Sequence, residues 1–289
     1  MAHPFVKWVG GKRALMSELI AHLPPQFNSQ THCYYEPFLG GGALFFALQS
    51  GQWQDEAKPL IKSLIRANLS DANLDLITTY QVVKSQPNEL IDKLKEHQVN
   101  HNLEYYYQIR HCHNLESCLE IAARFIYLNK TCYNGLYRVN SQGHFNVPIG
   151  KYKDTSAIVQ AENILACSAA LQGINLDHQG FDQIKPQSGD FVYFDPPYDP
   201  IDQGISAKSF TKYAKLDFTK KDQIALRDFA ITLHENGVYV MISNSNTQFI
   251  RDLYQDEFFY INLVTAPRFI NSKASQRGRV TEVLICNYS

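Results

Sequence analysis

Two consecutive prolines placed directly after a run of strand-forming residues constrain this chain more than any other feature. In Val192-Tyr193-Phe194-Asp195-Pro196-Pro197-Tyr198 the β-branched and aromatic residues favour a buried extended strand, and neither proline can donate to a sheet ladder. The strand therefore stops at Asp195. A carboxylate and the ring of Tyr198 are left in a stiff turn at the strand's C-terminal edge, which in open α/β sheets is where ligands bind. The same residues would also serve as an ordinary strand-to-loop turn in which Asp195 bonds to backbone.

A chain of 289 residues can bury a large core, either as one domain with a sizeable insertion or as two. With 45% hydrophobic and 19% charged residues it has the composition of an ordinary globule, and its net charge of −1 excludes a uniformly basic nucleic-acid coat. Any nucleic-acid binding must come from local patches. Cys33, Cys112, Cys118, Cys132, Cys167 and Cys286 show no paired spacing, which suits reduced thiols in a cytosol. The start, Met1-Ala2-His3-Pro4-Phe5, lacks a signal pattern, and no run reaches the roughly 18 apolar residues of a membrane span. A cytoplasmic protein with no membrane partner is expected.

Near the N-terminus, Lys7-Trp8-Val9-Gly10-Gly11-Lys12-Arg13 superficially resembles a phosphate loop. It fails the spacing, because Val6 stands where the first glycine is needed and Arg13 where Ser or Thr is needed. What remains is a Gly-rich turn flanked by an aromatic ring and cations. Tyr34 to Phe38 reads as a short strand, and Leu39-Gly40-Gly41-Gly42 as a tight turn into an apolar helix from Ala43 to Leu48. Phe45 occupies the third glycine position of the dinucleotide pattern GxGxxG. That departure favours a ligand without a pyrophosphate, such as one carrying adenosine and an amino-acid chain. A second strand, Leu64 to Ser70, ends in Asp71, which would either accept ribose hydroxyls or cap the helix beginning near Leu74.

Asp195-Pro196-Pro197-Tyr198 suits a weak nucleophile whose amino lone pair is delocalised into an aromatic ring. The carboxylate accepts one N–H, a carbonyl fixed beside it accepts the other, and a flat ring stacks on the base. A flipped adenine has these needs. The motif resembles that of amino-group methyltransferases, and its leading Asp is similar to the adenine-N6 enzymes of DNA. Together with Lys7-Trp8, Gly10-Gly11-Lys12 and Phe38-x-Gly40-x-Gly42 in that order, it makes nearly the whole chain resemble the Dam-type, D12-class DNA adenine-N6 methyltransferases. The arrangement is that of the alpha group, with the cofactor motif first and the catalytic motif last. Within the family it closely resembles the branch that acts on GATC and accompanies restriction endonucleases.

The resemblance implies S-adenosylmethionine as cofactor, held by Trp8, Lys12, Asp71 and Asp195 with Phe38, Gly40 and Gly42 lining its pocket. It implies an α/β fold, a doubly wound Rossmann-like methyltransferase sheet formed by residues 1–73 and 161–289. A helical and β-hairpin target-recognition domain is inserted at residues 74–160.

Within that insertion, Leu76, Ile77, Tyr80 and Val83 have helical spacing. Tyr105-Tyr106-Tyr107 would serve as core or as stacking rings, and His111-Cys112-His113 with Cys118 fits no structural zinc spacing, so no metal is expected. A hairpin is expected from about Leu136 to Pro148, with Arg138, Lys151 and Lys153 among Tyr133, Tyr137 and Tyr152. On its own such a hairpin could be merely solvated. The resemblance makes it the DNA-reading element: Arg138 on a guanine, Leu136 and Pro148 on bases, and Tyr133 and Asn134 supporting the opened stack. Lys7 would reach the site, and Lys151 belongs to the same basic surface.

Toward the C-terminus an alanine-rich helix is expected near Ala161 to Leu171. The polar stretch Asp199 to Phe218 would either close over the site or remain a surface loop. A helix follows, opened by a capping box at Thr219 and Asp222 and closed by Gly237. Val238 to Ser243 reads as a strand, and a terminal hairpin pairs Phe258–Val264 with Val280–Cys286. Between its arms Arg268, Lys273, Arg277 and Arg279 would touch phosphate. Double-stranded DNA is the expected partner, with a functional but not physical pairing to a restriction endonuclease. An RNA-adenine or protein-amide methyltransferase, or a non-catalytic DNA-binding module, are the competing readings.

Overall fold

A computed structural model describes residues 1–25, 27, 33–51, 66–151, 155–200, 218–267 and 279–289. In chain order these form α1 (Met16–Ala21), β1 (Tyr34–Glu36), α2 (Ala43–Ser50), β2 (Ala67–Asp71), α3 (Leu74–Ser85), α4 (Pro87–Asn100), α5 (Leu103–His111), α6 (Cys118–Thr131), α7 (Ala161–Ala170), β3 (Asn175–His178), β4 (Phe191–Phe194), α8 (Lys220–Glu235), β5 (Tyr239–Ser245), α9 (Gln248–Leu253), β6 (Tyr260–Pro267) and β7 (Arg279–Cys286).

The described strands make one sheet in the order β3-β2-β1-β4-β5-β7-β6. Strands β1 to β5 run parallel, and β7 enters antiparallel between β5 and β6. All four residues of β4 are buried because helices cover both faces, the usual condition of parallel strands. Phe191 and Tyr193 join a core with Tyr34, Leu69, α2 and α3, while Val192 and Phe194 face the opposite way toward Leu226, Ala230 and Leu233 of α8. The expected doubly wound sheet is therefore present. Its strand order reverses between β1 and β4, and ligand crevices open at such a reversal.

Local chemistry sets the element ends. β1 stops at Glu36 because Pro37 has no N–H to continue the ladder. Thr219 and Asp222 form the capping box of α8, and Gly237, at φ 74°, closes it. There the Gly237 N–H bonds to His234 O at 2.9 Å and the Val238 N–H to Leu233 O at 3.0 Å, the paired bonds of a Schellman motif.

Between the sheet strands, α3 and α4 supply Leu76, Ile77, Tyr80, Val83, Leu90 and Leu94 to the same core as β1 and β2. A smaller core lies beyond it, where Tyr106, Tyr127, Leu128, Cys132, Phe145, Val147 and Ile158 pack together. Helix α6 serves both, contributing Ala122 and Ile126 to the first and Tyr127 and Leu128 to the second. Of the tyrosine run, Tyr106 is fully buried and its hydroxyl donates to Val147 O at 2.9 Å.

The segment after α6 reverses direction where a hairpin is expected, but its pairing is limited to isolated antiparallel bridges, Val139 with Phe145 and Cys132 with Ile149. Asn140 explains the short reach, since its side-chain oxygen accepts the N–H groups of Gln142 and His144 at 3.0 and 2.9 Å and so replaces ladder bonds at the tip. Tyr152 and Lys153, most of the 199–218 stretch, and Arg268, Lys273 and Arg277 lie outside the described residues. None of the described helices is long and apolar enough to cross a membrane.

Ile242 of β5 is fully buried, with β4 parallel on one side and β7 antiparallel on the other. Replacing it with alanine is expected to cost about 2–5 kcal/mol, read as a lower urea midpoint with an unchanged slope.

Candidate active site

Three strand ends and one N-terminal turn build the site. β4 ends at Asp195, whose Oδ1 lies 2.7 Å from the Lys12 ammonium. Lys12 is 5% exposed and also donates to Gly10 O at 2.8 Å, so the Gly10-Gly11 turn aims the cation at the end of β4. The ammonium also sits 4.7 Å from the centroid of the Tyr198 ring, close enough for a cation–π contact. The Tyr198 hydroxyl donates to Glu282 Oε2 on β7 at 2.7 Å. Pro196 is buried and Pro197 exposed.

Opposing effects act on Asp195. Burial pushes its carboxyl above the ordinary value, Lys12 pulls it back, and the Glu282 charge adds a further upward push, leaving a net rise. Burial first, then Asp195, Tyr193 and Glu282, hold the Tyr198 phenol well above its usual range. A second carboxyl, Glu36 at the end of β1, accepts the Tyr34 hydroxyl at 2.8 Å and the Phe45 N–H in the first turn of α2. Burial pushes it up to about 8, so at neutral pH it is largely protonated.

Where β2 ends, the Asp71 carboxylate accepts the Gly40 N–H at 3.0 Å and the Asn73 N–H at 2.9 Å. It ties the glycine turn to the start of α3. Asn73, not Asp71, caps that helix, its side chain accepting the Leu76 N–H. Burial raises the Asp71 carboxyl, and the Gly40 and Asn73 bonds oppose the rise.

The glycines of this turn have a more specific reason than general pliancy. A Cβ on Gly40 (φ +48°) would stand 2.6 Å from the Trp8 indole, and one on Gly42 (φ +64°) would stand 2.8 Å from the Tyr80 hydroxyl. That hydroxyl donates to Gly40 O at 3.2 Å. Trp8 stacks in turn on Tyr137 at 5.7 Å. Tyr137 thus belongs to this aromatic stack, where the sequence suggests a basic surface. Phe38 stacks on Phe181 at 5.5 Å and meets Phe218 edge-on at 5.5 Å. One short N-terminal segment therefore touches the glycine turn through Trp8 and the Asp195 turn through Lys12.

Asn129, buried in α6, carries a role that no sequence signal announces. Its side chain accepts the Lys7 N–H at 2.7 Å and donates to Lys7 O at 2.8 Å and Gly135 O at 3.2 Å. Lys7 and the segment after α6 are pinned together. A Cβ on Gly135 would collide with the Lys7 side chain, and Asn134 takes the left-handed conformation, φ 56°, which Asn tolerates better than most residues. Tyr133, Asn134, Pro148 and Lys151 are exposed and Leu136 is half-buried. Arg138 is oriented by Asn146, with Nε 2.6 Å from Oδ1 and NH2 3.3 Å from the carbonyl. Further out, His113 of the His111-Cys112-His113 run stacks face to face on His144 at 3.8 Å. Glu282, Asn129 and Glu36 are the site residues that sequence reasoning misses. Lone polar residues inside apolar segments are the only trace they leave.

A mostly parallel sheet of this order, with an acidic and aromatic turn at the end of its central strand, defines an α/β enzyme with a Rossmann-like methyltransferase fold. The family description "D12 class N6 adenine-specific DNA methyltransferase" matches residues 8–267, and the chain belongs to that family. It is a DNA adenine methyltransferase. Among its relatives, the type II methyltransferase M1.LlaDCHI of Lactococcus lactis subsp. cremoris is 38% identical, with 99% of this chain and 95% of the relative covered. The type II methyltransferase M.MjaIII of Methanocaldococcus jannaschii is also 38% identical, over 99% of both chains. The DNA adenine methylase of Escherichia coli K12 is 33% identical, over 97% of this chain and 93% of its own.

A raised folded-state pKa stabilises the fold below the unfolded value and loses that contribution as pH climbs through the folded value. For Glu36 the window runs from 4.5 to about 8, with a slope of up to about 1.4 kcal/mol per pH unit. Glu36→Gln is expected to flatten the fall in stability across that window, measured by urea unfolding at a series of pH values.

Proposed function

We propose that this chain transfers a methyl group from S-adenosylmethionine to N6 of an adenine flipped out of double-stranded GATC. The supporting observation is the Asp195 carboxylate at the end of β4, paired with a Lys12 ammonium that also lies against the Tyr198 ring.

The donor set suits that cofactor. A carboxylate stands at the end of β2 beside a glycine amide, matched to a ribose diol, and the Phe38–Phe181–Phe218 rings offer an apolar wall to an adenine. Asp195 offers negative charge to a sulfonium, and Lys12 offers positive charge to a carboxylate. Trp8, Lys12, Phe38, Gly40, Gly42, Asp71 and Asp195 would hold it. When bound, it supplies an electrophilic methyl on an excellent leaving group, so no covalent enzyme intermediate is needed.

Lys12 lies on Asp195 Oδ1. An entering amine would take that carboxylate for one N–H and the Pro196 carbonyl for the other, while Lys12 turns toward the cofactor. Pro197 stiffens the turn, and Tyr198 stacks on the base. These contacts act by orienting a poor nucleophile in line with the methyl group.

Residues 74–160 would form the recognition unit, its reading surface concentrated in the segment after α6. Arg138, held by Asn146, would address a guanine edge, Leu136 and Pro148 would contact bases, and Tyr133 and Asn134 would support the gap left by the flipped base. Lys7 and Lys151 would lie near phosphate or the target. The GATC target and functional pairing with a restriction endonuclease rest on the motif resemblance. A cytoplasmic location follows from DNA as substrate. The RNA and protein-amide alternatives are disfavoured by the Asp that heads the motif.

Asp195→Ala is expected to lower methyl transfer about 10²–10³-fold, the range seen when a preorganised group is lost, while duplex binding by fluorescence anisotropy stays within about threefold. Near-normal transfer by this variant would defeat the assignment. Methyl incorporation into duplexes carrying GATC or any single-base change should fall at every changed position, and equal incorporation into a changed site would remove the proposed target.

A further inference from the structure

The backbone of the turn after β4 is held from two neighbouring elements without any help from Glu282. Gln223 on α8 donates to Pro197 O at 2.9 Å, and its own amide oxygen accepts from Asn244 on β5 at 3.0 Å. Asn244 Oδ1 accepts the Asp199 N–H at 3.1 Å, the Ser245 hydroxyl donates to Asp199 O at 2.6 Å, and the Thr247 hydroxyl donates to the Asp199 carboxylate at 2.7 Å. None of these bonds touches the Tyr198 ring.

That ring is reached instead from β7. Its hydroxyl meets Glu282 Oε2 at 2.7 Å, and Glu282 has Ser245 of β5 and Val264 of β6 as its register partners. The acceptor therefore sits on a strand paired along both edges, a rigid platform for a functional side chain. Charge balance does not account for it, since the Glu282 carboxylate is a like-charged neighbour of Asp195. The phenol oxygen lies on the long axis of the ring, so this bond leaves rotation about that axis to the packing around the ring, but it fixes the direction in which the axis points and therefore where the ring sits.

We propose that Glu282 is a positioning residue for methyl transfer: by accepting the Tyr198 hydroxyl it fixes the place of the ring against which the target base stacks. This rests on the stacking role proposed above for Tyr198. A displaced ring would still admit the base but would present its amine off the line of attack, which slows the chemical step more than it weakens binding.

The test is single-turnover methyl transfer with the full chain, its cofactor and a target duplex, together with the duplex KM. Glu282→Ala is expected to lower the transfer rate about tenfold with KM within about threefold. Tyr198→Phe keeps the ring and deletes the hydroxyl, and should show the same loss. The double variant should lose no more than either single one, because both remove one bond. Glu282→Gln retains an acceptor oxygen at similar reach and should return the rate to within about threefold of the parent. Thermal melts identify any variant that fails to fold, and if Glu282→Ala is one, the comparison of Tyr198→Phe with Glu282→Gln decides. A parental rate in Glu282→Ala, losses that multiply in the double variant, or a Glu282→Gln rate no better than that of Glu282→Ala or, where that variant does not fold, of Tyr198→Phe would overturn the inference. Tyr198→Ala separates the two readings: a parental rate there removes the stacking role itself, whereas loss there with a parental rate in Glu282→Ala removes only Glu282.

Discussion

Between β1 and β4 the strand order reverses, and the chain leaving one strand turns away from the chain leaving the other. Such reversals are where open α/β sheets bind ligands, and the residues that follow or end the two strands here are Glu36-Pro37-Phe38 on one side and Asp195-Pro196-Pro197-Tyr198 on the other. Proline enforces the ending in both cases, because neither strand can continue its ladder. The backbone topology thus decides where a carboxylate can be, and the prolines decide how stiffly it is held.

Placing carboxyls at such a reversal has an electrostatic cost that the protein meets unevenly. Lys12 compensates Asp195 at 2.7 Å; Glu36 instead stays largely protonated under the pressure of burial, and Glu282 accepts a phenol. A largely buried pair such as Lys12 with the half-buried Asp195 gains little net stability over an apolar pair, but removing either partner strands the other charge. The N-terminal turn is therefore bound to the end of the central strand by a contact that is expensive to break.

Much of the fold is legible in the sequence because its signals are local. The stop of β4, the glycine turn that leads from Leu39 into α2 and the capping box of α8 depend on residues adjacent in sequence, and the C-terminal hairpin joins two strands that follow one another along the chain. Strand β3 and helix α9 leave no such signal: Asn175–His178 is polar and mostly exposed, and Gln248–Leu253 is short, so neither shows a clear period. The segment after α6 reads in the sequence as paired strands, whereas Asn140 diverts the tip's N–H groups to its own side chain.

The sequence by itself determined the chemistry on offer: an Asp-Pro-Pro-Tyr turn, a glycine turn after a short strand, a Lys in a Gly-rich loop, and the order in which they come. Only the tertiary structure decided which of these meet. Lys12 faces Asp195 from the opposite part of the chain, Asn129 joins Lys7 to Gly135, and Glu282 holds Tyr198. The reason is physical. Propensity and periodicity act over a few residues, but a hydrogen bond between distant side chains exists only once the sheet has set the strand order and the cores have closed around it.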